Sequence, residues 1–102
     1  MSAAYFIFTQ KVTDSEKLNN DYLPKAIKAL EPYEPEILVV DQHHEVIEGE
    51  IPQTRTVVLR FKSKEIAKKW YYSKEYQDIV HLRFEATIGT AVLCDEFDPN
   101  NV

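Results

Sequence analysis

The sequence predicts an α+β fold in which two helices cover one face of a four-stranded antiparallel sheet. The first observation is the order of hydrophobic patterns, which reads strand, helix, strand, strand, helix, strand along the chain. The second is the length of 102 residues, which suits a single core. The third is the composition, since 44% hydrophobic residues with only 2 Gly and 5 Pro indicate a globular chain. We therefore predict one domain over residues 1–96 and a polar tail over residues 97–102.

The first strand and the first helix are predicted from a change of pattern near residue 13. The segment Ala3–Val12, "AAYFIFTQKV", is rich in aromatic and β-branched side chains, which favour a strand. In the following "TDSE", a capping box between Thr13 and Glu16 predicts the start of a helix. Pro24 lies inside the helical pattern, and because proline lacks a backbone donor we expect the helix to kink or restart there.

The other three strands are predicted from short apolar runs. Glu36–Asp41, "EILVVD", is the second strand, and "HEVIE" can continue it beyond a bend. Thr54–Phe61, "TRTVVLRF", gives the clearest strand pattern of the chain. Thr87–Asp95, "TIGTAVLCD", is the last strand, and Gly89 marks either a bulge or the true start of that strand.

The second helical region contains the aromatic stretch "AKKWYYSKEYQDIVHLR". Ser63 is the predicted N-cap, and Trp70 and Tyr71 share one helical face with the small Ala67. A break is expected at Ser73, after which a second apolar stripe is predicted at Tyr76, Ile79, Val80 and Phe84. The aromatic stretch is therefore either the packing face of a helix or a binding platform, and packing is the first interpretation.

The order of the elements is the split βαβ arrangement of ferredoxin-like folds, which leaves one face of the sheet uncovered. A monomer would need alternating apolar and polar residues in its strands. The segments 5–8 and 37–40 are instead apolar without interruption. Because both faces of the sheet then require burial, we predict a homodimer joined through the uncovered sheet faces.

Composition and motifs also exclude several classes of function. A net charge of -5 and a pI near 5.1 oppose binding to nucleic acid. No apolar run is long enough to span a membrane, and the start of the chain lacks the features of a signal peptide, so a cytoplasmic protein is expected. Its one cysteine, Cys94, lies in an apolar run and is read as a small buried hydrophobe. There is no Gly-rich phosphate loop and no paired-cysteine motif, so no cofactor is predicted.

The stretch "VIEGEIPQTRTVVLRFKSKEIAKKWYYSKEYQDIVHLR" resembles the domain of unknown function 1330 family, within the dimeric alpha-beta barrel superfamily. Its most specific parts are the Glu48-Gly49 pair, the strand that ends at Phe61, and "WYYSKEYQ" followed by Arg83. Lys74 stands where the family usually has proline. The resemblance covers nearly the whole chain and implies a ferredoxin-like dimer with a cavity between sheet and helices. It implies no established reaction.

Three residues are candidates for binding a ligand on the strength of their position. Alternation along the third strand places Arg60 on the dimer side, where its guanidinium would bind an anion or form a salt bridge across the interface. Trp70 and Tyr71 match the family motif, and they either line a pocket for a flat organic ligand or belong to the core.

Further candidates lie around residues 43–48 and at the ends of two elements. His44 is the candidate proton-transfer group, because carboxylates are close to it in sequence. Its neighbour His43 would point the opposite way on a strand, so no metal site is predicted. Glu48 recurs in the family motif. Arg55 and Arg83 could clamp a carboxylate, although a solvated or capping role is the first interpretation of both.

The resulting expectation is a small homodimer that binds a small organic molecule in a cavity between the sheet and the helices. One alternative is a cofactor-independent monooxygenase or isomerase, by analogy of fold with other members of the superfamily. A second alternative is a structural or regulatory interaction domain without a ligand. The sequence leaves open whether the protein is an enzyme.

Overall fold

The computed structural model describes residues 2–100 and confirms the predicted fold class. Its antiparallel sheet has the order β2-β3-β1-β4 and consists of β1 (Ala4–Val12), β2 (Glu36–Asp41), β3 (Arg55–Phe61) and β4 (Thr87–Asp95). The helical elements are a π-helical segment (Lys17–Tyr22), α1 (Leu23–Leu30), a 3₁₀ helix (Glu31–Tyr33), α2 (Lys64–Tyr71), α3 (Lys74–Gln77) and α4 (Val80–Ala86). Residue 1 of the predicted domain and residues 101–102 of the predicted tail lie outside this range. Within it, no helix is long and apolar enough to cross a membrane.

The core lies between the helices and one face of the sheet. The sheet contributes alternate side chains of β1 and β3, namely Phe6, Phe8, Leu59 and Phe61. The helical layer contributes Leu18, Tyr22, Ala26, Ala29, Ala67, Trp70, Tyr76, Val80 and Ala86. The opposite face of the sheet carries a second apolar surface, the open sheet face, formed by Ile7, Val39, Val58 and Val92. Of these, Val39 and Val92 are exposed in the single chain.

The first helical region begins differently from the predicted capping box. Asp14 accepts a hydrogen bond from the Lys17 amide at 3.0 Å through Oδ1, and thus acts as the cap. The Thr13 amide instead donates to the Ala86 carbonyl at the end of α4, so the capping prediction for Thr13 and Glu16 is wrong. The predicted restart at Pro24 is confirmed, because the π-helical segment gives way to α1 just before this proline.

The second strand ends at Asp41, and its predicted continuation through "HEVIE" is wrong. Oδ1 of Asp41 accepts from the His43 amide at 2.9 Å, which turns the chain out of the strand into a loop over residues 42–54. Before this turn, the register of β2 shifts by one residue between Ile37 and Val39. As a result, Ile37 and Val40 both lie on the helix side, three positions apart.

Two serines divide the second helical region as predicted. The hydroxyl of Ser63 accepts from the Ile66 amide at 3.1 Å and caps α2. The hydroxyl of Ser73 accepts from the Tyr76 amide at 3.2 Å and donates to the Trp70 carbonyl at 2.7 Å, which fixes the break before α3. The predicted apolar stripe is wrong at its last position, because Phe84 is 59% exposed.

Gly89 pairs with Gln10 in an unbroken β1–β4 register, so the structure shows no bulge there. Glycine is required because the backbone of Thr9 lies so close that a Cβ at position 89 would overlap its carbonyl oxygen. The last strand starts at Thr87, as predicted.

Gly89→Ala should lower the free energy of unfolding by about 3 kcal/mol, because the added methyl must displace the backbone of β1. Gly49→Ala is the matched control, since Gly49 has a positive φ of 83° but no atom within 4 Å of the added Cβ. Backbone strain alone should cost that variant about 1 kcal/mol. Urea denaturation measures both, and equal losses would contradict the close approach of the two strands.

Candidate ligand-binding site

A cavity of about 260 Å³ lies between the helices and the sheet, next to α1. Its wall is mostly apolar and consists of Phe8, Gln10, Tyr22, Leu23, Ala26, Ile27, Leu30, Ile37, Val40, Arg55, Val57, Leu59, Trp70 and Arg83. The exposed residues of this wall, Ile27, Ile37 and Val40, mark the mouth of the cavity between α1 and β2. The buried polar residues of the wall, Gln10, Arg55 and Arg83, mark its inner end.

Arg55 begins β3 and is only 4% exposed, in contrast to the expected solvated role. It lies on the helix side because side chains alternate along a strand, and Leu59 on the same side belongs to the core. Its Nη1 donates to the Oε1 of Gln10, which is the residue opposite it on β1. Among the described residues, Nε of Arg55 has no hydrogen-bond partner.

Arg83 lies on α4 and is 6% exposed, so it is a buried residue and not a solvated helix cap. Its Nε donates to the hydroxyl of Tyr76 at 3.2 Å. The guanidinium carbon lies 5.2 Å from the ring centroid of Phe8 and 5.0 Å from that of Phe84. Such cation–π contacts stabilise the charge without neutralising it.

Neither buried arginine has a carboxylate partner in the described part of the chain. All five ion pairs found over residues 2–100 involve other cations. Burial lowers the pKa of Arg55. Burial also opposes the charge of Arg83, but the phenol oxygens of Tyr76 and Tyr22 outweigh it and raise its pKa. Since arginine remains charged at neutral pH, the inner end of the cavity carries two positive charges.

Two tyrosine hydroxyls lie beside these charges. The oxygens of Tyr22 and Tyr76 are 2.5 Å apart and share a hydrogen bond. Burial raises the pKa of both phenols, that of Tyr22 to well above its usual range. Both hydroxyls therefore keep their protons at neutral pH, and neither acts as a base.

Trp70 is both a core residue and part of the cavity wall. It is 1% exposed, and its ring stacks on Phe61 and packs against Tyr76. Its Nε1 is buried and has no hydrogen-bond partner among the described residues. Tyr71 packs on Phe6 and Trp70 but does not line the cavity.

The remaining candidates lie elsewhere. Arg60 is on the open sheet face, where it forms ion pairs with Glu36 at 2.7 Å and Glu96 at 3.6 Å, so it cannot reach a ligand in this cavity. Nδ1 of His44 shares a hydrogen bond of 2.6 Å with the hydroxyl of Thr56.

Glu48 is exposed in the loop over residues 42–54, next to Gly49 with its positive φ. The structure therefore does not bring Arg60, His44 and Glu48 together at the cavity. No cluster of three or more His, Cys, Asp or Glu side chains that could hold a metal ion is found over residues 2–100.

The sequence patterns did not mark Gln10 and Tyr22 as site residues. For Arg55, a solvated or capping role was preferred over a carboxylate clamp. Arg55 is two residues from Val57 and four from Leu59, so the alternation of side chains along a strand already places it on the helix side. No comparable pattern marks Gln10, whose importance depends on the pairing of β1 with β3.

The fold and the site define the class of protein: a ferredoxin-like α+β sandwich whose cavity is lined by two buried arginine side chains. The chain belongs to the domain of unknown function family DUF1330, whose model matches residues 3–97. The resemblance seen in the sequence is thus confirmed. No match is found among curated proteins.

Solved structures share the fold at low sequence identity. A Rhodopseudomonas palustris protein of unknown function has a TM-score of 0.76 at 10% identity, covering 96% of this chain and 85% of that one. A DABB family protein with a ferredoxin-like fold from Mesorhizobium loti has a TM-score of 0.61 at 12% identity, covering 96% and 98%. A candidate antibiotic biosynthesis monooxygenase from Bacteroides thetaiotaomicron has a TM-score of 0.51 at 19% identity, covering 96% and 89%. At these identities the likeness shows the fold alone.

Tyr76→Phe should lower the free energy of unfolding by about 1–3 kcal/mol, since it leaves the buried groups of Tyr22 and Arg83 without their common partner. Tyr72→Phe is the matched control, because Tyr72 is 71% exposed, and it should change stability by less than about 0.5 kcal/mol. Chemical denaturation measures both variants. A Tyr76→Phe protein as stable as the control would show that the hydroxyl pair does not support Arg83.

Proposed function

We propose that the protein is a cytoplasmic homodimer that binds a small organic molecule in the cavity between the sheet and the helices. The observation that carries this proposal is a cavity with apolar walls, two of whose lining residues, Arg55 and Trp70, carry buried donors without partners among the described residues. Ligand sites commonly combine such walls with a few polar groups. Buried polar groups without partners destabilise a protein unless another molecule satisfies them.

The open sheet face supports the dimeric part of the proposal. Ile7 on the central strand β1 pairs with Val58 on β3 and Val92 on β4, so apolar side chains extend across the sheet. Burying this surface against a second copy would remove it from water, with about 25 cal/mol gained per Å² of apolar area. Cys94 is exposed in the single chain, so its predicted burial is wrong. A free thiol is usual in a reducing compartment.

The alternative of a base-initiated oxygenase or isomerase has less support. Such a reaction needs a general base next to an oxyanion donor. Over the described residues, the cavity wall contains no histidine and no carboxylate. Tyr22 is a poor base at neutral pH, because burial raises its pKa. The cavity therefore offers donors for an anion without a group that would remove a proton.

The alternative of an interaction domain without a ligand predicts a pocket closed by side chains and an Arg60 neutralised by a partner's carboxylate. In the single chain, the cavity is open at the mouth between α1 and β2. Arg60 is already paired with Glu36 of its own chain. Both features favour a binding protein over a purely structural one.

Native mass spectrometry of the protein purified from cells should show a dimer that carries a small molecule, because cavity and dimer are expected to survive purification together. The emission of Trp70, the only tryptophan of the sequence, should also respond to the neutral probe octan-1-ol, since Trp70 lines the cavity. A monomer would contradict the sheet-to-sheet dimer. A dimer without extra mass and without an octan-1-ol response would contradict ligand binding.

A pair of alanine substitutions links the response to the cavity. Ala26→Leu should weaken octan-1-ol binding about tenfold or more, because Ala26 lines the cavity and the larger side chain fills it. Ala91→Leu is the control, since Ala91 is exposed on β4 and does not line the cavity.

A further inference from the structure

We infer that the inner end of the cavity is a carboxylate-binding site formed by Arg55 and Arg83. The ligand is then an amphipathic organic carboxylate whose head lies against the two guanidinium groups and whose apolar body extends toward the mouth. This inference rests on the proposed function, because it names the chemical class of a ligand that the cavity is proposed to hold. Three observations support it: buried donors without acceptors, two buried arginines without ion pairs, and apolar walls that extend toward the mouth.

Two residues that line the cavity carry a buried hydrogen-bond donor without an acceptor among the described residues. Nε of Arg55 and Nε1 of Trp70 are both buried without an acceptor among the described residues, and both residues line the cavity. The Oε1 acceptor of Gln10 is already used by Nη1 of Arg55. Groups that only donate require a ligand that accepts. A carboxylate accepts several hydrogen bonds at once and can pair with an arginine in bidentate geometry.

Charge leads to the same class of ligand. Arg55 and Arg83 are 4% and 6% exposed, and within residues 2–100 neither forms an ion pair. A buried cation is costly unless an anion and hydrogen bonds compensate for it. Phe8 and Tyr76 stabilise Arg83 only in part, through the face of a ring and a hydroxyl oxygen. An anionic ligand would supply the missing negative charge, whereas a cationic ligand would be repelled.

The walls determine how such a ligand would be oriented. The shifted register of β2 places Ile37 and Val40 together on the helix side, and α1 contributes Ile27 opposite them. All three are exposed at the mouth, while the arginines lie at the buried end. An alkyl or aryl body would cover this apolar surface when the carboxylate is bound inside. The ligand thus enters head first between α1 and β2.

Ligands of equal chain length test this assignment on the native protein. Octanoate, octan-1-ol, octylamine and octyl phosphate are titrated separately while Trp70 emission and binding heat are recorded. Octanoate should bind about tenfold or more tighter than octan-1-ol, since hydrogen bonds to a charged group add to the same apolar contacts. Octylamine should bind more weakly than either compound, because its charge repels the two arginines.

Matched arginine substitutions locate the effect. Arg55→Met should weaken octanoate binding about tenfold or more and octan-1-ol binding much less, because methionine keeps the apolar volume but removes the charge and the donors. Arg60→Met is the control, since Arg60 lies on the open sheet face and should not affect either ligand. If Arg55→Met does not fold, the comparison of ligands on the native protein decides alone.

Each outcome separates the two proposals. Tighter binding of octanoate that depends on Arg55 supports the carboxylate site. Equal binding of octanoate and octan-1-ol overturns the carboxylate site and leaves the cavity as an apolar binding site. Tighter binding of octyl phosphate than of octanoate also overturns it, in favour of phosphate esters. The absence of binding by all four compounds overturns the carboxylate site and the proposed function together.

Discussion

Two guanidinium groups buried without a carboxylate are the constraint on which the rest of the structure depends. An uncompensated buried charge costs several kcal/mol, which is a large part of the stability of a domain of this size. The chain reduces this cost with three partial solutions. Gln10 accepts from Arg55, the ring of Phe8 faces Arg83, and the hydroxyl of Tyr76 accepts from Arg83. None of these solutions neutralises the charge, so the cavity remains suited to an anion.

The fold positions these groups through backbone features that lie some distance from them. The cap at Ser73 ends α2 and directs α3, so that Tyr76 points into the core and reaches Arg83 seven residues later. The pairing of β1 with β3 sets Gln10 opposite Arg55. Gly89 allows β4 to approach β1 closely at the same level of the sheet. The polar end of the cavity therefore depends on these three features together: the cap at Ser73, the β1–β3 pairing and the close approach of β4 to β1.

The sequence was sufficient to predict the fold but not to predict which residues line the cavity. Periodicity identified the four strands and the two helical regions, because the hydrophobic effect acts on side chains at regular spacing. The capping box at Thr13 was a wrong prediction because a tertiary hydrogen bond to Ala86 competes for that backbone, and sequence patterns carry no such information. The stripe ending at Phe84 failed for a related reason, since the neighbouring Arg83 is buried by contacts with Tyr76 and with Phe8, which is distant in sequence. Strand parity placed Arg60 correctly on the face away from the helices, and the same rule would have placed Arg55 in the core.

The most direct test of this account is a crystal structure of the protein grown with octanoate. The account predicts a carboxylate within about 3 Å of the guanidinium nitrogens of Arg55 and Arg83, with the alkyl chain directed toward Ile37 and Val40. A carboxylate at the mouth with the chain inside would contradict the proposed orientation. A carboxylate side chain of a partner subunit seated on the two arginines would contradict the central claim, because the buried charges would then be neutralised by the protein itself.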